Sequence, residues 1–311
     1  MSLTRASVLR GPGKVKINTT ELFSQGDISL TPKLTYAPVN FSHGGVLDEV
    51  LSDAFIELQF TPANYVSSGI LSALYPYGNP TLGASLLTTA DVTATVVGRE
   101  AANNKVTLAA AAVQSMPTLH LSSRNPNLFS GACTLVASVK TGVARSVADS
   151  LYTIGTEAWT GLVTRANIKA GIYSGAWNSL TFGATEDGWT VEFSANWKPV
   201  TTDEDGTIDW TLESVTARAT CTPVGQALTL LDSINGLKQS LIGASQYAAH
   251  DLVIAATGGL TVTLKQASLK SGPCKWGAST LRHDQIGFEA MRCLTATPGF
   301  EPDALFTVAI T

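Results

Sequence analysis

Two stretches near the N-terminus alternate apolar and polar residues with the period of two that is typical of a half-buried β-strand. They are residues 28–36 (ISLTPKLTY) and residues 54–60 (AFIELQF). Because the pair Gly44-Gly45 lies between them, the pattern predicts a long antiparallel hairpin. Pro32 has no N–H to donate, so it predicts an edge position or a bulge in the first strand.

The same pattern returns later in the chain. Residues 189–197 (WTVEFSANW) and 212–221 (LESVTARATC) flank a DEDG turn at residues 203–206 and predict a second hairpin. We expect the apolar faces of the two hairpins to form each core against a helix. These faces comprise Ile28, Leu30, Leu34, Ile56, Leu58, Phe60, Val191, Phe193, Val215 and Cys221.

The helix signal is unequal in the two parts of the chain. Residues 226–243 place leucine and isoleucine at helical spacing, with Gly236 as a possible stop. The equivalent stretch, residues 67–78, is shorter and ambiguous. Because the remaining segments have the pattern of short strands, we predict a mainly β protein in which each part is a β-sandwich or barrel with one flanking helix.

The two hairpins belong to a longer repeat. At an offset of 161 residues, residues 36–62 align without a gap to residues 197–223. The identical pairs are Pro38/Pro199, Val39/Val200, Gly45/Gly206, Asp48/Asp209, Leu51/Leu212, Thr61/Thr222 and Pro62/Pro223.

The similarity continues beyond the hairpins, in the same order. Gly83-Ala84-Ser85 recurs as Gly243-Ala244-Ser245, and Pro117 recurs as Pro273. A period this long indicates two copies of a whole domain rather than a solenoid. We therefore predict two tandem domains, residues 1–159 and 160–311, which we call the first half and the second half.

Composition narrows the class of protein. Hydrophobic residues make up 44% of the chain and charged residues only 14%, with a formal net charge of −4. The usual charged share is about 25%. A surface with so little charge suits a protein that packs against copies of itself, although a β protein rich in Thr, Ser and Ala explains it equally well. The absence of a basic tract argues against tight nucleic-acid binding.

Catalytic and metal signatures are missing from the sequence. The four histidines have no paired spacing, and there is no phosphate-binding loop or nucleophile elbow, so we predict no catalytic residue, no cofactor and no enzyme. The run Asp203–Asp205 with Asp209 is the best metal candidate, but we favour a solvated loop and predict no metal site.

The chain also lacks the signals of export and membrane insertion. The four cysteines are far apart, which favours a reducing compartment over a disulfide framework. No signal peptide or apolar run long enough to span a membrane is visible, so we expect a chain made in the cytoplasm.

These motifs resemble a known family. The segment GPGKVKINTTELFSQGDISL (residues 11–30) precedes the first hairpin, whose tip reads Gly-x-x-Asp at residues 45–48. IELQFTP (residues 56–62) and a Leu-Gly-Ala-Ser turn (residues 82–85) follow it. Together they resemble the tail tube proteins of long-tailed, siphovirus-like bacteriophages and prophages. The likeness covers most of each half, with loose motifs.

The resemblance implies an architecture and partners. Tail-tube domains are small β-sandwiches whose hairpins join side by side into a ring of six domains, and the rings stack into a virion tube that conducts DNA. A duplicated chain would form a pseudo-hexameric ring from three copies, assembled in the host cytoplasm. The implied partners are the chain itself, the tape measure, terminator and distal tail proteins, and double-stranded DNA in transient, non-specific passage, with no membrane.

We hypothesise that the polar face of each hairpin lines the lumen. This face comprises Ser29, Thr31, Lys33, Thr35, Glu57 and Gln59 in the first hairpin, and Thr190, Glu192, Ser194, Asn196, Thr216, Arg218 and Thr220 in the second. Lys33 and Glu57 balance in charge, as do Glu192 and Arg218, so such a wall would not retain DNA. Cross-strand ion pairs on any exposed sheet are the alternative.

The hairpin tips are expected to reach a neighbouring subunit or ring. The residues concerned are His43, Gly45, Asp48, Glu49, Asp203, Glu204, Asp205, Gly206 and Asp209. Three other functions stay open. The chain could be a terminator, a distal tail protein or another ring-forming tail protein. It could also be a two-domain β-sandwich binding module outside phages. An enzyme is the weakest alternative.

Overall fold

The structure is a computed structural model that describes residues 10–87, 92–100, 104–125, 127–140, 142–159, 171–224, 250–256, 259–271, 274–276, 281–291 and 304–310. Within these residues the protein is mainly β, with antiparallel pairing throughout, which confirms the predicted β class. The described residues include no helix that is long and apolar enough to cross a membrane.

The elements of the first half are β1 (Arg10–Ile17), β2 (Thr20–Phe23), β3 (Ser29–Phe41), β4 (Gly45–Phe60), α1 (Ser68–Leu74), β5 (Ala94–Glu100), β6 (Lys105–Leu108), β7 (Ala110–Ser115), β8 (Thr118–Leu121), β9 (Phe129–Ser130), β10 (Cys133–Ser138) and β11 (Tyr152–Gly155). Those of the second half are β12 (Tyr173–Trp177), β13 (Leu180–Phe182), β14 (Thr185–Thr202), β15 (Gly206–Pro223), β16 (Leu252–Ala256), β17 (Leu260–Leu264), β18 (Ser268–Ser271), β19 (Cys274–Trp276), β20 (Leu281–His283), β21 (Ile286–Glu289) and β22 (Phe306–Ile310).

Each half contributes two main sheets. The first half forms a sheet of order β11-β6-β5-β1-β2 and another of order β3-β4-β10-β7. The second half forms the order β13-β12-β16-β17-β22. A six-stranded sheet of order β18-β21-β15-β14-β8-β9 includes two strands from the first half. Strands β19 and β20 pair as a separate two-stranded sheet.

Both predicted hairpins are present. Hairpin one is β3–β4 and hairpin two is β14–β15, and they extend well beyond the predicted strands. Gly45 (φ 78°) and Gly206 (φ 66°) occupy the left-handed region at the two tips, where glycine has no steric penalty. Strand β3 is at a sheet edge, as Pro32 predicts.

The helix of the first half packs between the two halves. Helix α1 lies within the ambiguous stretch 67–78, and the Ser67 hydroxyl caps it by accepting from the Ile70 amide at 3.3 Å. Tyr75, at its C-terminal end, packs on Phe193 with ring centroids 4.8 Å apart. The second predicted helix, residues 226–243, lies outside the described residues.

One hydrophobic cluster connects the halves. It contains buried residues from both, with an aromatic centre in the second half where Trp189, Phe182 and Phe288 pack on one another. Most of the predicted core face is buried here. The buried members are Ile56, Leu58, Phe60, Val191, Phe193 and Cys221, and Ile28 and Val215 are partly buried.

The prediction that Leu30 and Leu34 enter the core is wrong, because both side chains are exposed. They lie on β3, whose described strand partner is β4 alone. In hairpin two the equivalent of Leu30 is Val191, which is fully buried in the cluster that connects the halves, at the place where β8 of the first half pairs with β14. Alternation along a strand therefore identified the apolar face, but it did not indicate that no described segment covers this part of it.

We predict that Gly175→Ala destabilises the fold. A Cβ at position 175 would lie 2.2 Å from Cζ2 of Trp189, so the buried ring would have to move. Overpacking of this kind costs about 1–3 kcal/mol, which urea unfolding would measure. Gly183→Ala is the matched control because its Cβ would meet nothing within 4 Å. Equal stability of the two variants would contradict the packing.

A second prediction concerns acid stability. A hydrogen bond from Lys16 holds the pKa of Glu157 below its ordinary value, while burial opposes this, and Lys105 lies 3.2 Å from the same carboxylate. A carboxyl whose pKa is lowered stabilises the fold above its unfolded pKa, and this stabilisation is lost as pH falls. In urea unfolding from pH 7 to pH 3, Glu157→Gln should reduce the pH dependence, whereas Glu213→Gln, at an exposed site, should not.

Candidate assembly surface

The two hairpins have the same cross-strand register. Tyr36 is opposite Leu51 in hairpin one, and Trp197 is opposite Leu212 in hairpin two, with both partners 161 residues later. Each hairpin has register shifts at equivalent places, after positions 35 and 39 in one and after 196 and 200 in the other. Equivalent positions can therefore be compared directly. We call residues 34–51 and 195–212 the distal halves of hairpins one and two.

The distal half of hairpin two packs on the first half through aromatic rings. The Trp210 ring is buried, and its centroid lies 5.5 Å from that of Phe55. Trp197 donates from Nε1 to the Gln114 carbonyl at 3.2 Å and meets Tyr77 with centroids 5.1 Å apart. These contacts hold hairpin two across β4, β7 and β10.

Residues 83–87 of the first half add backbone pairing to β15. The Gly83 amide donates to the Leu212 carbonyl at 2.9 Å, and the Leu212 amide donates to the Ala84 carbonyl at 3.0 Å. The Asp209 carboxylate accepts from the Leu87 amide at 2.9 Å and from the Ser85 hydroxyl. The repeated sequence Gly-Ala-Ser and the repeated aspartate thus meet in one contact. Residues 243–245 lie outside the described residues.

The tip of hairpin two lies in a polar socket of the first half. The Asp53 carboxylate accepts from the Thr207 amide at 2.6 Å and from its hydroxyl at 2.8 Å. The Thr207 carbonyl accepts from Ser138 at 2.6 Å and from Arg145 at 3.2 Å. A Cβ on Gly206 would lie 2.6 Å from Oδ1 of Asp53, so close approach as well as positive φ requires glycine there.

The first half also covers the edge of hairpin two. Strand β8 pairs antiparallel with β14, with His120 opposite Thr190 and their side chains 3.2 Å apart. Strand β3, the equivalent of β14, has β4 as its partner among the described strands. The first half therefore covers hairpin two at the β14 edge near residues 189–191 and along β15 at Gly206, Thr207, Trp210 and Leu212, whereas residues 198–204 are exposed.

The distal half of hairpin one is uncovered. Leu51 is 46% exposed where its equivalent Leu212 is 3% exposed, and Val46 is 57% exposed where Thr207 is 2% exposed. The exposed large hydrophobic residues of this segment are Leu34, Tyr36, Val39, Phe41, Val46, Leu47, Val50 and Leu51. Large contiguous apolar patches on proteins mark interaction sites, so this segment is the candidate assembly surface.

The residues of the hypothesised lumen face share one face of each hairpin, and none of them is buried. Lys33 lies 3.3 Å from Glu57. Arg218 is opposite Glu192 in the strand register and lies 3.6 Å from Glu289 of β21. Hairpin two covers this face of the first half near Phe55, so only its part toward the base of hairpin one is open.

The predicted tip residues divide into two groups. Asp205, Gly206 and Asp209 contact the first half, the Arg145 amide donating to Asp205 at 3.1 Å. The other group is exposed and comprises His43, Gly45, Asp48, Glu49, Asp203 and Glu204. The contacts of Asp53, Trp197 and Trp210 were not predictable from the sequence pattern, although the shared Gly-Ala-Ser and aspartate motifs marked the place where the halves meet.

The acidic run does not form a metal centre with its described neighbours. Among the described residues, no three His, Cys, Asp or Glu side chains are grouped so that they could hold a metal ion. Cys133 and Cys221 are buried free thiols, and burial raises the pKa of both.

Comparison with known proteins identifies no relative, since no protein-family model matches the chain and no curated protein is significantly similar to it.

We predict that Asp53→Ala loosens the junction between the halves. The substitution leaves the buried Thr207 amide and hydroxyl without their acceptor, which costs about 1–3 kcal/mol. Urea unfolding and hydrogen exchange at the Thr207 amide would measure the loss. Asp203→Ala, at an exposed position of the same tip, should change neither, and equal behaviour of the two variants would refute the socket.

Proposed function

We propose that this chain is a structural protein that assembles head to tail with copies of itself into the tail tube of a long-tailed bacteriophage or prophage. The observation that carries the proposal is the difference in coverage between two hairpins of identical register. In hairpin two, Thr207, Trp210 and Leu212 are buried against the other half of the chain, whereas their equivalents in hairpin one, Val46, Glu49 and Leu51, are exposed among further exposed apolar residues.

A head-to-tail contact joins two unlike surfaces and can be repeated indefinitely. Within the chain, hairpin two docks on a surface that the first half supplies. In the proposed assembly, the second half of one chain receives hairpin one of the next. Such contacts form a ring if the rotation closes and a filament if it does not. On the family resemblance, three chains close a ring of six hairpins.

The order of the strands supports the duplication on which this proposal depends. Read from the matching edge, β11-β6-β5-β1-β2 corresponds strand for strand to β22-β17-β16-β12-β13. The order β3-β4-β10-β7 corresponds likewise to β14-β15-β21-β18. Two units with one strand order present the same kind of surface twice per chain, which a pseudo-sixfold ring of three chains requires.

The proposed lumen is the open polar face of the hairpins. It carries Lys33 with Glu57 and Arg218 with Glu289, so neighbouring charges cancel. Affinity for DNA depends on phosphate neutralisation by excess positive charge. A balanced wall would therefore let DNA pass in the assembled virion without retaining it.

Electron microscopy and mass photometry of the purified chain test the proposal. We expect rings with the mass of three chains that stack into hollow tubes. Rings that never stack would favour a terminator or distal tail protein instead. A chain that stays monomeric at high concentration would contradict self-assembly and favour a two-domain binding module.

A matched pair of variants tests the role of hairpin one. Val50 and Val224 are both 54% exposed, but Val50 lies in the distal half of hairpin one and Val224 follows the base of hairpin two. Val50→Asp should leave the dispersed chain folded and abolish assembly, because it places a charge in an apolar contact. Val224→Asp should assemble normally. Normal assembly of Val50→Asp would exclude this surface.

A further inference from the structure

The equivalent positions of the two hairpins identify which residues would meet between chains. Hairpin two docks with Thr207 at Asp53 and with Trp210 against Phe55 and Val136. At an offset of 161 residues, Thr207 corresponds to Val46 and Asp53 corresponds to Ser214. The same offset relates Trp210 to Glu49 and Phe55 to Thr216.

Both residues of the tip contact, Thr207 and Asp53, are replaced at the equivalent positions. Within the chain, the buried Thr207 hydroxyl donates to the partly buried Asp53 carboxylate. At the equivalent positions, Val46 has no hydroxyl and Ser214 has no carboxylate. A buried carboxylate without its donor would be costly. If Val46 and Ser214 meet, the hydroxyl donor and the carboxylate acceptor are both absent, so no carboxylate is left without its donor.

The residues equivalent to the aromatic contact of Trp210 with Phe55 and Val136 also differ at every position. Strand β10 places Val136 opposite Glu57, and β21 places Glu289 opposite Arg218, so Val136 and Glu289 are equivalent. The buried cluster around Trp210 is thereby replaced by Glu49, Thr216 and Glu289, beside an Arg218 side chain that is 60% exposed. Glu49 and Arg218 are complementary in charge.

We infer that hairpin one docks on the second half of another copy of this chain, with Val46 at Ser214 and Glu49 beside Arg218. This inference rests on the proposed self-assembly and specifies its partner surface. It gives the ring two alternating junctions. The junction within the chain is closed by the partly buried Asp53 carboxylate and two tryptophans. The junction between chains is closed by aliphatic residues and an exposed ion pair.

The glycine and the aspartate that are identical in the two hairpin tips fit the same docking arrangement. Asp48 binds its own neighbour, the Glu49 amide, at 2.8 Å, as Asp209 binds the Trp210 amide at 2.7 Å. Asp209 additionally accepts from the first half, whereas Asp48 is exposed. Gly45 keeps the left-handed φ of Gly206, although a Cβ there would meet nothing within 4 Å. Hairpin one thus already has the conformation of a docked tip.

Cysteine cross-linking tests the inference. Val46→Cys with Ser214→Cys should form disulfides between chains on mild oxidation, giving bands of two and three chains on a non-reducing gel. Asp53→Cys with Thr207→Cys is the matched control and should link within one chain. Peptide mapping separates these bonds from any to native cysteines, of which Cys133 and Cys221 are buried.

A steric variant gives an independent readout. Ser214→Arg should fill the receiving site and raise the concentration needed for assembly at least tenfold. Ser194→Arg should leave it unchanged, because its equivalent Lys33 is not covered by hairpin two. Normal assembly of Ser214→Arg, or absence of the 46–214 bond between chains in assembled protein, overturns the inference. A 46–214 bond between chains without rings or tubes would support the docking and refute the proposed function.

Discussion

The arrangement of the two halves depends on one contact, the packing of β15 of hairpin two on the first half. There Trp210 and Leu212 lose nearly all contact with solvent. Complete burial of such a side chain stabilises a protein by about 1.5–3 kcal/mol. Hairpin one has the same register and the same glycine tip, but no described segment covers it. Of the two equivalent contacts, the described part of the chain therefore forms only the one made by hairpin two.

The difference between the contacts has a physical explanation. A contact made within one chain forms at high effective concentration and stays closed, so it tolerates tryptophans and a carboxylate that is partly buried with its donors. In the proposed assembly, the surface of hairpin one is exposed to water until another chain binds, and Glu49 in place of Trp210 lowers its apolar area. The uncovered aliphatic residues of hairpin one still form a large patch, and this fits a protein that is stored as an assembly.

Alternation and turn glycines were sufficient to predict both hairpins, because these signals are local. Pro32 marked β3 as an edge strand for the same reason. The exposure of Leu30 and Leu34, the placement of α1 between the halves, and the socket at Asp53 were not predictable in this way. Each depends on which segment lies beside another in space. The repeated Asp48/Asp209 and Gly-Ala-Ser motifs carried that information, but only the structure showed that they touch.

Hydrogen exchange of the backbone amides, followed by mass spectrometry on dispersed and assembled chains, tests the central claim most directly. The account predicts that residues 206–212 are protected in both states, since the first half packs on them. Residues 34–51 should exchange quickly in dispersed chains and become protected on assembly. Assemblies in which residues 34–51 still exchange as fast as in single chains would contradict it.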